Sequence, residues 1–172
     1  MHEVSIRYAS PHDGPGIVEL IERAYRGPEA AKAWTNETEF LTGPRTRDGE
    51  VDRLVADPES RFVLAEVAGT LAGCALVQRA AHGAYFGMFA VDPGQQGGGV
   101  GKAVLDACEE TARELWAAGS MSLTVISLRA DLIDWYARRG YLPDGTREPF
   151  PFHVESGALR TDFDLVRLVK QL

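Results

Sequence analysis

The chain has 172 residues, 45% of them hydrophobic and 25% charged, and a formal net charge of −7. That length suits one domain over residues 1–172 with a sizeable core, and no apolar run approaches the roughly 20 residues that would cross a bilayer as a helix. The acidic balance argues against a broad nucleic-acid surface, and "MHEVSIRYAS" lacks the basic and apolar regions of a secretory leader, so the expectation is a cytoplasmic protein with neither nucleic acid nor membrane as partner.

Residues 4–9, "VSIRYA", alternate apolar and polar and read as a strand. Turn chemistry in "SPHDGPG" opens a helix through about Arg26, with Ile17, Leu20, Ile21 and Ala24 on one face. Short helical pieces follow, one over Glu37–Leu41 capped by Asn36 and one through Val55 capped by Asp48. "RFVLAEVAG", "TLAGCALVQRA" and "AYFGMFAVD" are three strands whose short joints force antiparallel pairing. A long helix over about Gly99–Ala118 carries an apolar stripe of Val100, Val104, Leu105, Cys108, Ala112 and Leu115. Then come a strand in "MSLTVISL", a short helix in "DLIDWYARRG", an extended piece from "YLPDG", an irregular "REPFPFHVESGALR" and a last strand in "TDFDLVRLVKQL". The order β-α-α-β-β-β-α-β-α-β-β predicts a single α/β domain.

Cys74 and Cys108 lie in apolar segments without CxxC spacing and read as buried free thiols. The four histidines are scattered without ligand spacing, so no metal site is expected.

The chemical signal is "VDPGQQGGGVGKAVLDACEE", with five glycines between Gly94 and Gly101. A nucleotide P-loop requires a Gly where Gln96 stands and a hydroxyl where Ala103 stands. A dinucleotide fingerprint puts its third Gly on Lys102 or Val104. What remains is a run of backbone N–H groups, unobstructed by Cβ atoms, at the positive end of a helix, where a pyrophosphate can bind. A plain flexible joint between strand and helix accounts for the glycines alone.

Gln96-Gly97-Gly98-Gly99-Val100-Gly101 has the form [R/Q]xxGx[G/A] between a strand and a long helix. It resembles the acyl-CoA loop of the GCN5-related N-acetyltransferases, the GNAT superfamily. "FGMFAVDPGQQGGGVGKAVLDACEE" is similar to that family's fourth strand, loop and third helix. "LTVISLRADLIDWYARRGYLPDG" is similar to its next strand and helix, which carry a tyrosine, here Tyr136, and a glycine-aromatic end, here Gly140-Tyr141. Many members have Asn where this chain has Arg129, which resembles a branch with R-x-E-L-I-x-(F/W)-Y-x-x-R-G-Y and puts that Asn's cofactor contact in doubt.

The resemblance implies a mixed, mostly antiparallel sheet of six to seven strands with helices on both faces. It implies acetyl-CoA as co-substrate, direct acetyl transfer to a primary amine, and no metal. By resemblance, Phe89, Ala90 and Val91 offer main-chain groups to the pantetheine arm, and Gln96, Gly97, Gly98, Gly99, Val100, Gly101 and Lys102 take the pyrophosphate. Tyr136 is the candidate acid for the departing thiolate, since a phenol stays protonated near neutral pH. Glu37, Glu39 and Glu66 are candidate bases, none assigned. The acceptor side is expected from about Tyr25 to Arg47 and from "REPFPFHVESGALR": Trp34, Thr35, Phe40 and Arg45 mix aromatic, hydroxyl and cationic groups suited to a small polar amine or its carboxylate, Trp34 and Phe40 suit lid packing as well, and His153 of the long loop is a candidate pocket residue. Protein or peptide amines, a non-catalytic acyl-CoA sensor and an ATP-binding loop are the competing readings. The terminal strand "DFDLVRLV", if exposed, offers an edge for a homodimer.

Overall fold

In the computed structural model, which describes residues 3–30, 37–152 and 157–172, the chain builds one seven-stranded sheet. Its elements are β1 (Val4–Tyr8), α1 (Gly14–Arg26), α2 (Glu50–Ala56), β2 (Ser60–Val67), β3 (Thr70–Ala80), β4 (Gly83–Val91), α3 (Val100–Trp116), β5 (Ser120–Ile126), α4 (Ala130–Ala137), β6 (Leu142–Pro149) and β7 (Asp164–Gln171). The strand order is β1-β2-β3-β4-β5-β7-β6. All neighbours are antiparallel except β4 and β5. The expected α/β architecture and its strands are borne out.

Local chemistry explains the meander. Ala68 and Gly69 both have positive φ, the condition for a two-residue turn whose twist suits a hairpin, so Val67 pairs with Thr70. Side chains of β2 alternate between faces. Phe62 and Leu64 join Ile17, Leu20 and Ile21 of α1 and Val51 of α2. Val63 and Ala65 join Val104, Leu105 and Cys108 of α3 on the other side. Both faces are covered, which is why these strands read as near-continuous apolar runs. Gly73 of β3 lets α3 come close: a Cβ there would stand 2.7 Å from Val100 Cγ1.

Four expectations are corrected. Glu37–Leu41 forms a single turn rather than a helix, because Leu41 is drawn into a bridge with Ala158 and Thr42 N–H donates to the Gly157 carbonyl at 2.7 Å; the proposed cap, Asn36, lies outside the described residues. The cap of α2 is Gly49, with φ +69, rather than Asp48. Leu115 of α3 stays exposed, while Glu109 is buried where Tyr141 and Lys170 meet it. The terminal strand is not an edge: β7 pairs with β5 from Ser120↔Gln171 to Ile126↔Leu165 and carries β6 on its other side. The edge strands are β1 and β6, and Pro143 and Pro149 of β6 suit a strand with one unpaired side.

Candidate functional site: a glycine turn beside a splayed pair of strands

The glycine run is held at both ends. The Asp92 carboxylate accepts from Gly94 N–H at 2.8 Å and from Arg23 of α1 at 2.5 Å. Pro93–Gln95 forms a single 3-10 turn, and Gln96 Nε2 donates back to the Val91 carbonyl at 3.4 Å. Gly97 and Gly99 have φ of +85° and +82°, and Gly99 caps α3. A Cβ added at either would meet nothing within 4 Å. The turn therefore presents glycine backbone to open space ahead of the first turn of α3. Val100 faces the core, and Lys102 stands exposed on the helix, paired with Asp106 at 2.5 Å.

The next feature is a gap in the sheet. β4 and β5 pair only at Ala84↔Met121 and Tyr85↔Ser122. Beyond Tyr85 they diverge. A bulge in β4 contributes: Met88 and Phe89 both fall opposite Ala75, and Met88 has φ +47. Between the diverging strands lies a cavity of about 250 Å³, with Gly87, Met88 and Phe89 on one wall and Leu123 through Ile126 on the other. Tyr136 of α4 lines it, its ring edge-on to Trp135 at 5.0 Å and Tyr141 at 5.9 Å. Its hydroxyl makes no hydrogen bond to another described residue. Burial, with the phenols of Tyr25 and Tyr85 close by, pushes that hydroxyl well above its ordinary pKa.

The other end of the cavity is polar. Tyr25, at the end of α1, donates its hydroxyl to the Phe89 carbonyl. Arg45 stacks over the Tyr25 ring at 5.2 Å. Glu37 is held by Arg26 at 3.0 Å and lies 3.8 Å from Arg45. Arg129, at the start of α4, lines the same space and binds Asp131 through Nε and Nη2, both at 3.1 Å. A roof closes over this end. Phe150 and Pro151 line the cavity, and Phe40, Leu41, Ile126 and Phe163 form a small apolar cluster with Phe150 and Phe152. Leu159 N–H donates to the Phe40 carbonyl at 2.8 Å, tying the loop after α1 to the loop after β6.

The structure thus brings Phe89, Tyr136 and Arg45 to one cavity, with Ala90 and Val91 leading from it to the glycine turn at Gln96–Lys102. Among the candidate bases only Glu37 lines it. Glu39 is exposed, and Glu66 of β2 is engaged by Arg7 at 2.8 Å. Phe40 packs as lid, edge-on to Phe163 at 5.4 Å. Trp34, Thr35 and His153 lie outside the described residues. Tyr25 and Arg26 fall at the start of the stretch expected to build the acceptor side, though neither was singled out, and Tyr85 was missed as a lining residue. Tyr25 and Arg26 sit at the last turn of a helix before a Gly-Pro break, a signal that marks an end but not what the end faces. No group of three or more potential metal ligands occurs among the described residues, and no described helix is long and apolar enough to cross a membrane.

Residues 17–141 match the model of the Acetyltransferase (GNAT) family. No curated protein sequence matches the chain. Among solved structures, the ribosomal-protein-S18-alanine N-acetyltransferase from Escherichia coli superposes with a TM-score of 0.69 at 16% identity, covering 98% of this chain and 94% of that one. A spermidine N-acetyltransferase chimera from Vibrio cholerae and hSSAT gives 0.70 at 17% identity, with 98% and 95% covered. The PaiA N-acetyltransferase from Thermoplasma acidophilum, solved with coenzyme A, gives 0.66 at 13% identity, with 99% of each chain covered. At these identities the likeness is one of fold.

Proposed function

The chain belongs to the GNAT acetyltransferase family, and from that premise we propose that it transfers an acetyl group from acetyl-CoA directly to the primary amine of a compact small molecule. The observation that carries the choice of acceptor is the small size of the cavity, about 250 Å³, with Phe150 and Pro151 among its lining residues. That volume lies at or below the roughly 300 Å³ at which ordinary ligand pockets begin.

The residues fit acetyl-CoA. Gly97 and Gly99 leave an uncovered backbone cradle that side chains would fill, and it adjoins the unpaired stretch of β4. Bound there, acetyl-CoA supplies a thioester whose carbonyl carbon is open to attack by an amine. Gln96 through Lys102 hold the pyrophosphate by main-chain N–H groups, with Lys102 adding charge that Asp106 already shares. Phe89, Ala90 and Val91 align the pantetheine arm along β4 as an added strand would. Tyr25 fixes the Phe89 carbonyl and so the path of the bulge. Tyr136 keeps a proton at its hydroxyl and gives it to the departing sulfur. Cys74 and Cys108 take no part as acyl carriers: both are buried and free, and burial pushes the Cys74 thiol up to about 12 and Cys108 well above its ordinary value.

Melting curves with acetyl-CoA, CoA, ATP and NAD test the reading. A ligand at 100 times its dissociation constant adds about 2.7 kcal/mol, so acetyl-CoA and CoA raise Tm and the other two do not. Thiol release with a panel of small amines and short peptides then separates the acceptor classes. The absence of any shift with either CoA species sinks the proposal.

A further inference from the structure

The cavity's polar end has an imbalance that selects among amines. Among the described residues three guanidinium groups and one carboxylate line it: Arg26, Arg45, Arg129 and Glu37. Two of the three are spoken for. Arg26 donates to Glu37 at 3.0 Å and to the Gly43 carbonyl at 3.0 Å. Arg129 is forked onto Asp131. Arg45 differs. Among the described residues its guanidinium donates no hydrogen bond, its nearest carboxylate is Glu37 at 3.8 Å, and its side chain is only a third exposed. Its own backbone N–H and that of Thr46 are fixed by Glu22, at 3.0 and 2.7 Å, so the backbone at Arg45 is anchored while the fork keeps hydrogen-bond donors to spare. A half-buried guanidinium whose five donors make no hydrogen bond to a described residue, with only a long ion pair to Glu37 and the Tyr25 ring face beside it, has donors left for a ligand.

We infer that Arg45 receives an anionic group of the acceptor, so that the substrate carries both a primary amine and a carboxylate or phosphonate. This rests on the acetyltransferase reading of the same cavity. The geometry orders the two ends of such a molecule. Arg45 covers the Tyr25 ring, and the hydroxyl of that same ring reaches the Phe89 carbonyl. One tyrosine side chain therefore separates the cationic fork from the strand beside which the acyl group is to lie. An acceptor with its anion on Arg45 presents its amine toward Phe89 and Tyr136. The planar fork matches a carboxylate bidentately. A polyamine meets the opposite pattern: the one acid among the described lining residues, Glu37, is already held by Arg26.

The test is calorimetric binding to the CoA-saturated protein, followed by thiol release from acetyl-CoA. The probes are α- and ω-amino acids, their primary amides, 2-aminoethylphosphonate and spermidine. At least one acid or phosphonate is expected to bind ten- to a hundredfold more tightly than its neutral counterpart, the range of a lost charge-assisted pair. Whether carboxylate or phosphonate leads identifies the anion. Arg45→Gln is expected to erase the acid-to-amide difference and Arg45→Lys to retain part of it, with melting curves confirming that both variants fold. The inference is overturned if amides bind as well as acids, if spermidine outbinds every acid, if no acid binds, or if Arg45→Gln leaves the ratio intact. Thiol release with neutral or cationic amines alone overturns this inference and leaves the acetyltransferase reading standing. No CoA binding and no release with any amine sinks the latter.

Discussion

Replacing Tyr136 by Phe separates its chemistry from its packing. The ring sits edge-on to Trp135 at 5.0 Å, to Tyr141 at 5.9 Å and to Phe86 at 6.4 Å, and all three contacts survive loss of the hydroxyl. No described residue is left with an orphaned hydrogen-bonding group. Stability should change by less than about 0.5 kcal/mol, as for substitutions that break none of the usual determinants. Tm then moves by no more than about 2 °C in a chain of this size. If the hydroxyl protonates the departing sulfur, its loss lowers the rate by about 10²- to 10⁴-fold, or roughly 2.7–5.4 kcal/mol at 1.36 kcal/mol per decade. Stopped-flow or Ellman-type thiol release at saturating acetyl-CoA and acceptor reads kcat, and calorimetry reads acetyl-CoA affinity. The expected pattern is a collapsed kcat with affinity and Tm retained. The raised pKa adds a second signature: the phenol keeps its proton above pH 10, so no loss of rate assignable to it appears on the alkaline side up to that pH. A kcat within twofold of wild type refutes the role and leaves Tyr136 as core.

Glu109→Ala should lower stability by about 3 kcal/mol, because it removes the buried carboxylate that Tyr141 and Lys170 address at 2.9 and 2.8 Å; chemical denaturation measures this, and a loss under 1 kcal/mol contradicts it. Asp13 is held well below the usual carboxylate range by its hydrogen bonds from Arg7, so its contribution is present above the ordinary value of 3.8 and drains away as pH falls through the folded value. Acid unfolding of Asp13→Asn should therefore show a shallower dependence on pH below about 4 than wild type. Cys74 and Cys108 should resist Ellman's reagent at pH 8 until the protein unfolds, and alkylating reagents should leave acetyl transfer intact; rapid labelling of the folded protein contradicts their burial.

Much of the site was legible because its chemistry is local. The five glycines and the preceding Asp-Pro specify a turn and the start of α3 whatever surrounds them, since positive φ at Gly97 and Gly99 is a property of those residues. Tyr136 was legible by its distance from the loop and the Gly-aromatic end of its helix. Arg45 was picked out as a cation in a mixed stretch, but nothing in "GPRTRDGE" says which of its two arginines turns inward. Arg45 goes over Tyr25, while Arg47 stands at the exposed approach to α2. The Glu37–Leu41 helix was misread because its caps and apolar spacing suit one turn, and the bridge from Leu41 to a residue more than a hundred positions later overrode the local preference.

The sequence by itself determined the α/β class, the antiparallel meander and the capped glycine turn, which follow from periodicity and backbone freedom over short windows; the family came from the resemblance of its motifs and the match over residues 17–141. Tertiary structure alone decided that β4 and β5 part after two pairs, and that β7 inserts between β5 and β6, so that the last strand is not an edge. It also drew the loops after α1 and β6 together as a roof. The physical reason is the same in each case. Strand divergence, strand order and the placement of Arg45 over Tyr25 depend on contacts between segments far apart in the chain, and the energy of such contacts is fixed by packing rather than by the residues of any one segment.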